Sequence, residues 1–181
     1  MTTIPVPGSD QVPQGSRPIL DGIEKQLGFT PNLFRLMALS PAVLIGHAQL
    51  QTALAAALDL KTRVNIALAV SEVNGCDYCL ASHTFHGLAF AKLTPEEIAL
   101  NRQGHSNDSK IDAAVHFAKQ VVENRGHVGT GPVARVRAAG YSDGQIIEII
   151  GVAAALMLSN LINNVAQTEV DFPAISESDA D

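Results

Sequence analysis

The sequence predicts an all-α protein, a single-domain helical bundle that assembles into oligomers. Ala, Leu, Ile and Val supply nearly all of the 46% hydrophobic content while aromatics make up only 4%, a mix that packs helices closely through small side chains. Almost every segment from residue 18 to residue 175 carries helical period and helical punctuation. No segment sustains an alternation of period two, so no strand is expected. At 181 residues the chain has room for one domain with a sizeable core and is marginal for two.

Residues 1–17 combine Pro, Gly, Ser and Gln with little apolar content and read as a flexible arm. Leu20, Ile23 and Leu27 then fall at helical spacing and stop at Gly28. Pro31 opens a short helix to Leu39, and Pro41 a longer one to about Leu58. The next runs from Lys61 to Val73 and ends at Asn74-Gly75, a pair suited to the left-handed backbone of a helix C-terminus. A new helix starts at Cys76 and reaches about Lys92. Thr94-Pro95-Glu96-Glu97 supplies an N-cap, a first-turn proline and a capping-box glutamate. Ser109 with Asp112 marks another start, and a shorter helix from Pro132 to Ala139 stops at Gly140. Ser142 with Gln145 opens the most apolar helix, which runs to about Asn163. Two helix starts, LTPEEI and YSDGQI, look alike, but no repeat of fixed period is present. Residues 176–181 read as an acidic, frayed tail.

The formal charge of −6 argues against a nucleic-acid partner, which needs clustered Lys and Arg. The N-terminus has neither a basic start nor an apolar run, so a cytoplasmic protein is expected. The apolar stretch 146–158 is interrupted by Glu148 and falls short of the roughly 20 residues of a membrane span. Its helix, Ile146 to Leu161, is instead expected to be core or an interface between copies of the chain.

Reactive side chains converge only in SEVNGCDYCLASHTFHG. On a helix beginning near Cys76, residues Cys79, His83 and His86 fall within roughly 80° of Cys76 on one stripe. A C-x-x-C pair at a helix start can close a disulfide with little backbone movement. Helix-terminal N–H groups favour a thiolate at Cys76, whereas His83, four residues after Cys79, can take the thiol proton of Cys79. Which sulfur attacks stays open. The same four residues could ligate zinc, but ligands along one helical stripe lie on a line, and tetrahedral zinc draws on two elements. An inert buried pair or a static disulfide is the blander alternative. His47, His105, His116 and His127 have no chemical neighbours in sequence and are expected to be satisfied or exposed. Tyr78 either covers the sulfurs or packs between subunits.

The run V-N-G-C-D-Y-C-L-A-S-H-T at 73–84 resembles the C-x-x-C-x-x-x-H core of the carboxymuconolactone decarboxylase and AhpD-like alkylhydroperoxidase superfamily. The likeness extends loosely over 30–173, through AAGYSDGQIIEI at 138–149 and NNVAQTEVDFP at 163–173. It implies an AhpD-like helical bundle in trimers or hexamers and a thiol-dependent peroxidase, with Cys79 attacking the peroxide and Cys76 resolving. Peroxidase members place a relay glutamate twelve residues before the first cysteine, where this chain has Val64. An antiparallel hairpin about Asn74-Gly75 would set position 64 level with His86 and turn Glu72 toward the cysteines. Glu72 is therefore expected to supply the relay carboxylate with His83, and His86 a further relay group. The expected partners are a hydroperoxide and an external dithiol or disulfide-reductase donor, with no metal and no organic cofactor. Two alternatives are a decarboxylase of a cyclic lactone acid, which needs no dithiol, and a non-enzymatic thiol-disulfide adaptor or redox sensor.

Overall fold

The computed structural model describes residues 2–172; the end of the domain expected at 175 and the tail expected at 176–181 lie outside the described residues. Among them are nine α-helices and no strand. Local chemistry sets most of the boundaries. Helix α1 (Arg17–Leu27) ends on Gly28, whose φ of 79° is the left-handed geometry that glycine adopts without strain. After α2 (Asn32–Met37), Ser40 caps α3 (Pro41–Ala57) by accepting from the Val43 N–H. Asp59 caps α4 (Leu60–Val73) through the Thr62 N–H. Helix α5 (Asp77–Ala89) follows, then α6 (Pro95–Arg102), opened by the Thr94–Glu97 capping box. Next come α7 (Ser109–Glu123), α8 (Thr130–Ala138) and α9 (Asp143–Ala166), the last opened by a Ser142–Gln145 box.

Three expectations are corrected. Cys76 does not begin α5 but caps it, in an extended conformation. Asp108, and not Ser109, caps α7, because its carboxylate reaches the N–H groups of both Lys110 and Ile111, while Asp112 turns back to accept from the Ser106 N–H. The N-terminal arm is packed rather than free. Ser16 is fully buried and its hydroxyl donates to the Ala38 carbonyl at 2.8 Å. Val12 lies in a small core with Met37, Ala38 and Leu44, and Arg35 donates to the Pro7 carbonyl.

Helix α4 is the axis of the bundle: Ile66, Leu68, Ala69 and Val70 are all fully buried. The main core sets Ile66 and Val70 against Val115 and Phe117 of α7 and Ile149, Val152 and Leu156 of α9; each such large side chain contributes about 1.5–3 kcal/mol on burial. Two glycines set the spacing around it. A Cβ at Gly87 would stand 3.3 Å from Leu93 and 3.6 Å from Val64, so the α4–α5 contact is close. A Cβ at Gly151 would stand 3.2 Å from Leu54, so α3 leans on α9. Leaning that way, α3 leaves Leu60, Arg63, Val64 and Ala67 of α4 facing a cavity.

The apolar helix proves two-sided. Leu156 and its neighbours are core, while Ile147, Ile150, Leu158, Leu161 and Val165 are exposed at helical spacing on the outer face. By length and composition alone α9 could cross a membrane, yet its inner face is part of the bundle.

Candidate active site

The dithiol sits at the turn of the α4–α5 hairpin. Gly75 takes a φ of 58°, which reverses the chain so that the Cys76 N–H donates to the Ser71 carbonyl at 3.0 Å. Helix α9 holds the turn: Asn164 donates to the Asn74 carbonyl at 2.9 Å. Cys76 and Cys79 form a disulfide with their Cα atoms 5.2 Å apart. The Cys76 sulfur, fully buried, accepts the Cys79 N–H at 3.2 Å. The Cys79 sulfur accepts from Asn163 Nδ2 at 3.3 Å and faces the cavity, whose wall includes Cys79 and not Cys76.

That cavity, about 440 Å³, lies between α3 and α5, with α1 and α2 at one side and α9 behind. From α5 it is lined by Tyr78, Cys79, Ser82, His83 and His86; of the stripe expected from spacing, Cys79, His83 and His86 share it and Cys76 does not. Burial, with the neighbouring His86, holds the His83 pKa down at about 3. Burial also lowers that of His86, against the bond to Ser82. Both rings are therefore neutral near pH 7. His86 Nδ1 lies 2.7 Å from the Ser82 carbonyl; a carbonyl only accepts, so Nδ1 carries the proton and Nε2 is left as an acceptor.

Tyr78 covers the sulfurs. It is buried with Cys76 and Cys79, against Leu33 and Phe172. Its hydroxyl donates to Asp171 Oδ1 at 2.8 Å and accepts from the Leu33 N–H at 3.2 Å, and burial pushes its pKa up. Asp171 Oδ2 accepts the Asn32 N–H at 2.8 Å. Phe172 stacks edge-on against Tyr78 and Phe29, both at 5.6 Å, and lies against His86.

Glu72 is not brought to the dithiol. The hairpin register is as expected, with Val64 level with Gly87, but Ser71 is the residue turned inward, fully buried. One residue on, at 100° around the helix, Glu72 points outward and pairs with Arg102 at 2.6 Å on the exposed surface. Among the described residues no Asp or Glu lines the cavity, and no three His, Cys, Asp or Glu side chains converge where a metal could be held.

Two residues of the wall escaped the sequence reading. His47, expected to be satisfied or exposed, is 5% exposed and lacks a hydrogen bond at either ring nitrogen among the described residues; burial lowers its pKa. Its spacing from Leu44 and Leu54, both buried, was the available signal, since all three share one helical face. Arg63 lines the cavity from α4; as a first-turn residue beside an aspartate it gave no signal. His105 and His116 stack on each other at 5.8 Å, outside the cavity wall.

The model of the carboxymuconolactone decarboxylase family matches residues 40–123, which span α3 to α7. Comparison with the curated proteins returns no match. Among solved structures, the chain is similar to the alkylhydroperoxidase AhpD core, an uncharacterized peroxidase-related protein from Ralstonia eutropha JMP134. The identity is 23% with a TM-score of 0.82, covering 99% of this chain and 94% of that one. It is also similar to an uncharacterized peroxidase-related protein from Silicibacter sp. TM1040, at 19% identity and a TM-score of 0.81, over 94% and 92% of the two chains. A third similar structure is the debrominase Bmp8, at 22% identity and a TM-score of 0.72, over 92% and 90%; a cysteine-to-alanine variant of it is a complex with 2,3,4-tribromopyrrole. At these identities the likeness carries the fold.

Proposed function

We propose that this chain, whose residues 40–123 match the carboxymuconolactone decarboxylase family, reduces hydroperoxides with the Cys76–Cys79 dithiol. One observation carries the reading: of a cysteine pair at disulfide spacing, Cys79 opens onto a cavity that two neutral imidazoles also line. His83 takes the Cys79 thiol proton. The thiolate attacks one peroxide oxygen, the O–O bond breaks, and the departing oxygen leaves as alcohol or water with the proton returned through His83 and His86. Cys79 is then a sulfenic acid. The Cys76 sulfur attacks it, the S–S bond forms, and water leaves. Cys76 suits that step because its sulfur sits at the N-terminus of α5, where an N–H already points at it and the helix dipole favours a thiolate. An external dithiol takes the oxidising equivalents and restores the pair.

Free-thiol titration of the reduced protein before and after one equivalent of hydroperoxide tests this. Prompt loss of two thiols is expected; retention of both would overturn the reading. Among the described residues no carboxylate lines the cavity, which favours one second reading, in which the two thiols reduce a carbon–halogen bond. R–Br and two thiols would give R–H, HBr and the disulfide, so bromide release from a bromopyrrole with peroxide inert is its signature. The outer stripe of α9 supports assembly of copies of this chain through that face. Light scattering should show an oligomer, dispersed by Leu161→Asp.

A further inference from the structure

Among the polar groups of the cavity wall that the dithiol chemistry leaves unused, Arg63 and His47 lie toward its opposite ends. We infer that the site takes an amphipathic monocarboxylic acid, whose carboxylate Arg63 holds while the reacting group reaches Cys79 and His47. The inference rests on the peroxidase reading for the identity of that reacting group, a hydroperoxide, and on the cavity itself for the rest.

Among the described residues Arg63 is the one charged side chain in the wall. Its Nε donates to the Leu58 carbonyl at 3.0 Å, which fixes the plane of the guanidinium and leaves both terminal nitrogens without a partner among the described residues. Asp59, whose charge acts on Arg63, spends its oxygens on the Thr62 N–H at 2.9 Å and the Thr62 hydroxyl at 2.7 Å. A half-buried fork with two free donors is suited to a planar anion, which it grips through two parallel bonds.

His47 supplies the second, independent sign of a ligand. A buried imidazole with both nitrogens unbonded is costly unless the occupant of the cavity completes it. Helices α3 and α9 run antiparallel, with Leu54 beside Gly151 and Leu44 clustered with Ile162. His47 therefore comes level with Ser159, one turn from Asn163, the residue bonded to the Cys79 sulfur. Arg63 lies at the other end. Its neighbour Val64 is level with Gly87, eight residues beyond Cys79, or about 12 Å along α5. An extended chain advances about 1.2 Å per bond, so about ten bonds join the two ends. Val64, Ala67, Val152 and Leu156 make the wall between them apolar, and a volume of about 440 Å³ is in the range of small-molecule sites.

Two measurements on the full-length protein separate this inference from the reading beneath it. In calorimetry, decanoate should bind at least about tenfold more tightly than decanol or methyl decanoate, and Arg63→Gln should erase that preference. Equal affinity of acid and ester for the unaltered protein would overturn the acid site. In thiol-oxidation kinetics, the 9-hydroperoxide of linoleic acid should show a KM about tenfold below that of its methyl ester. Arg63→Gln should raise the KM for the acid alone, with cumene hydroperoxide unaffected. His47→Phe should raise the KM for both linoleate hydroperoxides and leave decanoate affinity unchanged; an unchanged KM removes His47 from the site. If no peroxide oxidises the thiols while decanoate still binds through Arg63, the peroxidase reading falls and the acid site stands.

Discussion

Two walls face each other across the cavity and are built on different terms. The α5 wall is closely backed by α4, with Val64 against Gly87, and two of its groups are tied down: Cys79 by Asn163 and His86 by the Ser82 carbonyl. The α3 wall stands off α4 because Leu54 seats on Gly151, and its one imidazole, His47, is tied to nothing. The cavity exists because of that difference. A reactive group held by a hydrogen bond keeps one geometry, while an imidazole left unbonded is open to whatever enters.

The comparison breaks most plainly at the sulfurs. Cys79→Ser and Cys76→Ser should each abolish turnover, and after one equivalent of peroxide only Cys76→Ser should be labelled by dimedone. Labelling of Cys79→Ser instead would reverse the order of attack. Next in size, His83→Ala should slow the reaction of the thiol with peroxide by roughly 10²-fold, the scale of losing a general acid or base. The double variant with His86→Ala should be little slower, because parts of one relay do not add.

A titration of stability sharpens the contrast. Burial, then His86, holds the His83 pKa at about 3, below the ordinary 6.5. Between those values the unfolded chain binds the proton and the folded one does not. The contribution of His83 to stability is thus complete above about pH 6.5 and is lost as pH falls toward 3. His47 shifts in the same direction by burial, so His47→Phe should flatten part of the acid decline in Tm, at roughly 2–4 °C per kcal/mol for a chain of this size. An acid decline identical in both proteins would show that His47 titrates as freely folded as unfolded. The smallest effect is expected on the outer side of α4. Glu72→Gln removes an exposed ion pair, should cost at most about 1 kcal/mol, and should leave the thiol's rate unchanged. A hundredfold loss there would return the glutamate to the relay.

The two walls were also unequally legible. Cys79, His83 and His86 follow from spacing within one helix and could be placed on one face before any tertiary structure was known, whereas Cys76, an extended cap, stands apart from that stripe. The hairpin gave the level of Val64 correctly but not the facing of Glu72, since one residue of helix phase separates Ser71, turned in, from Glu72, turned out. His47 and Arg63 became neighbours of the dithiol only through the lean of α3, which depends on a glycine about a hundred residues away and leaves no local pattern. The packed N-terminal arm was illegible for a related reason: Val12 and Ser16 are lone anchors whose partners, Met37 and Ala38, lie beyond a turn.

The Tyr78–Asp171–Asn32 connection has a consequence in time. The hydrogen bond between Asn32 and Asp171 spans 139 positions of the chain, and Phe172, which closes over Tyr78 and His86, is made nearly a hundred residues after the cysteines. During synthesis the dithiol must emerge, and its hairpin can form, long before its cover exists. Until the last helix is released, both cysteines lack that cover, so the order of manufacture leaves the pair open while the rest of the chain is still being made.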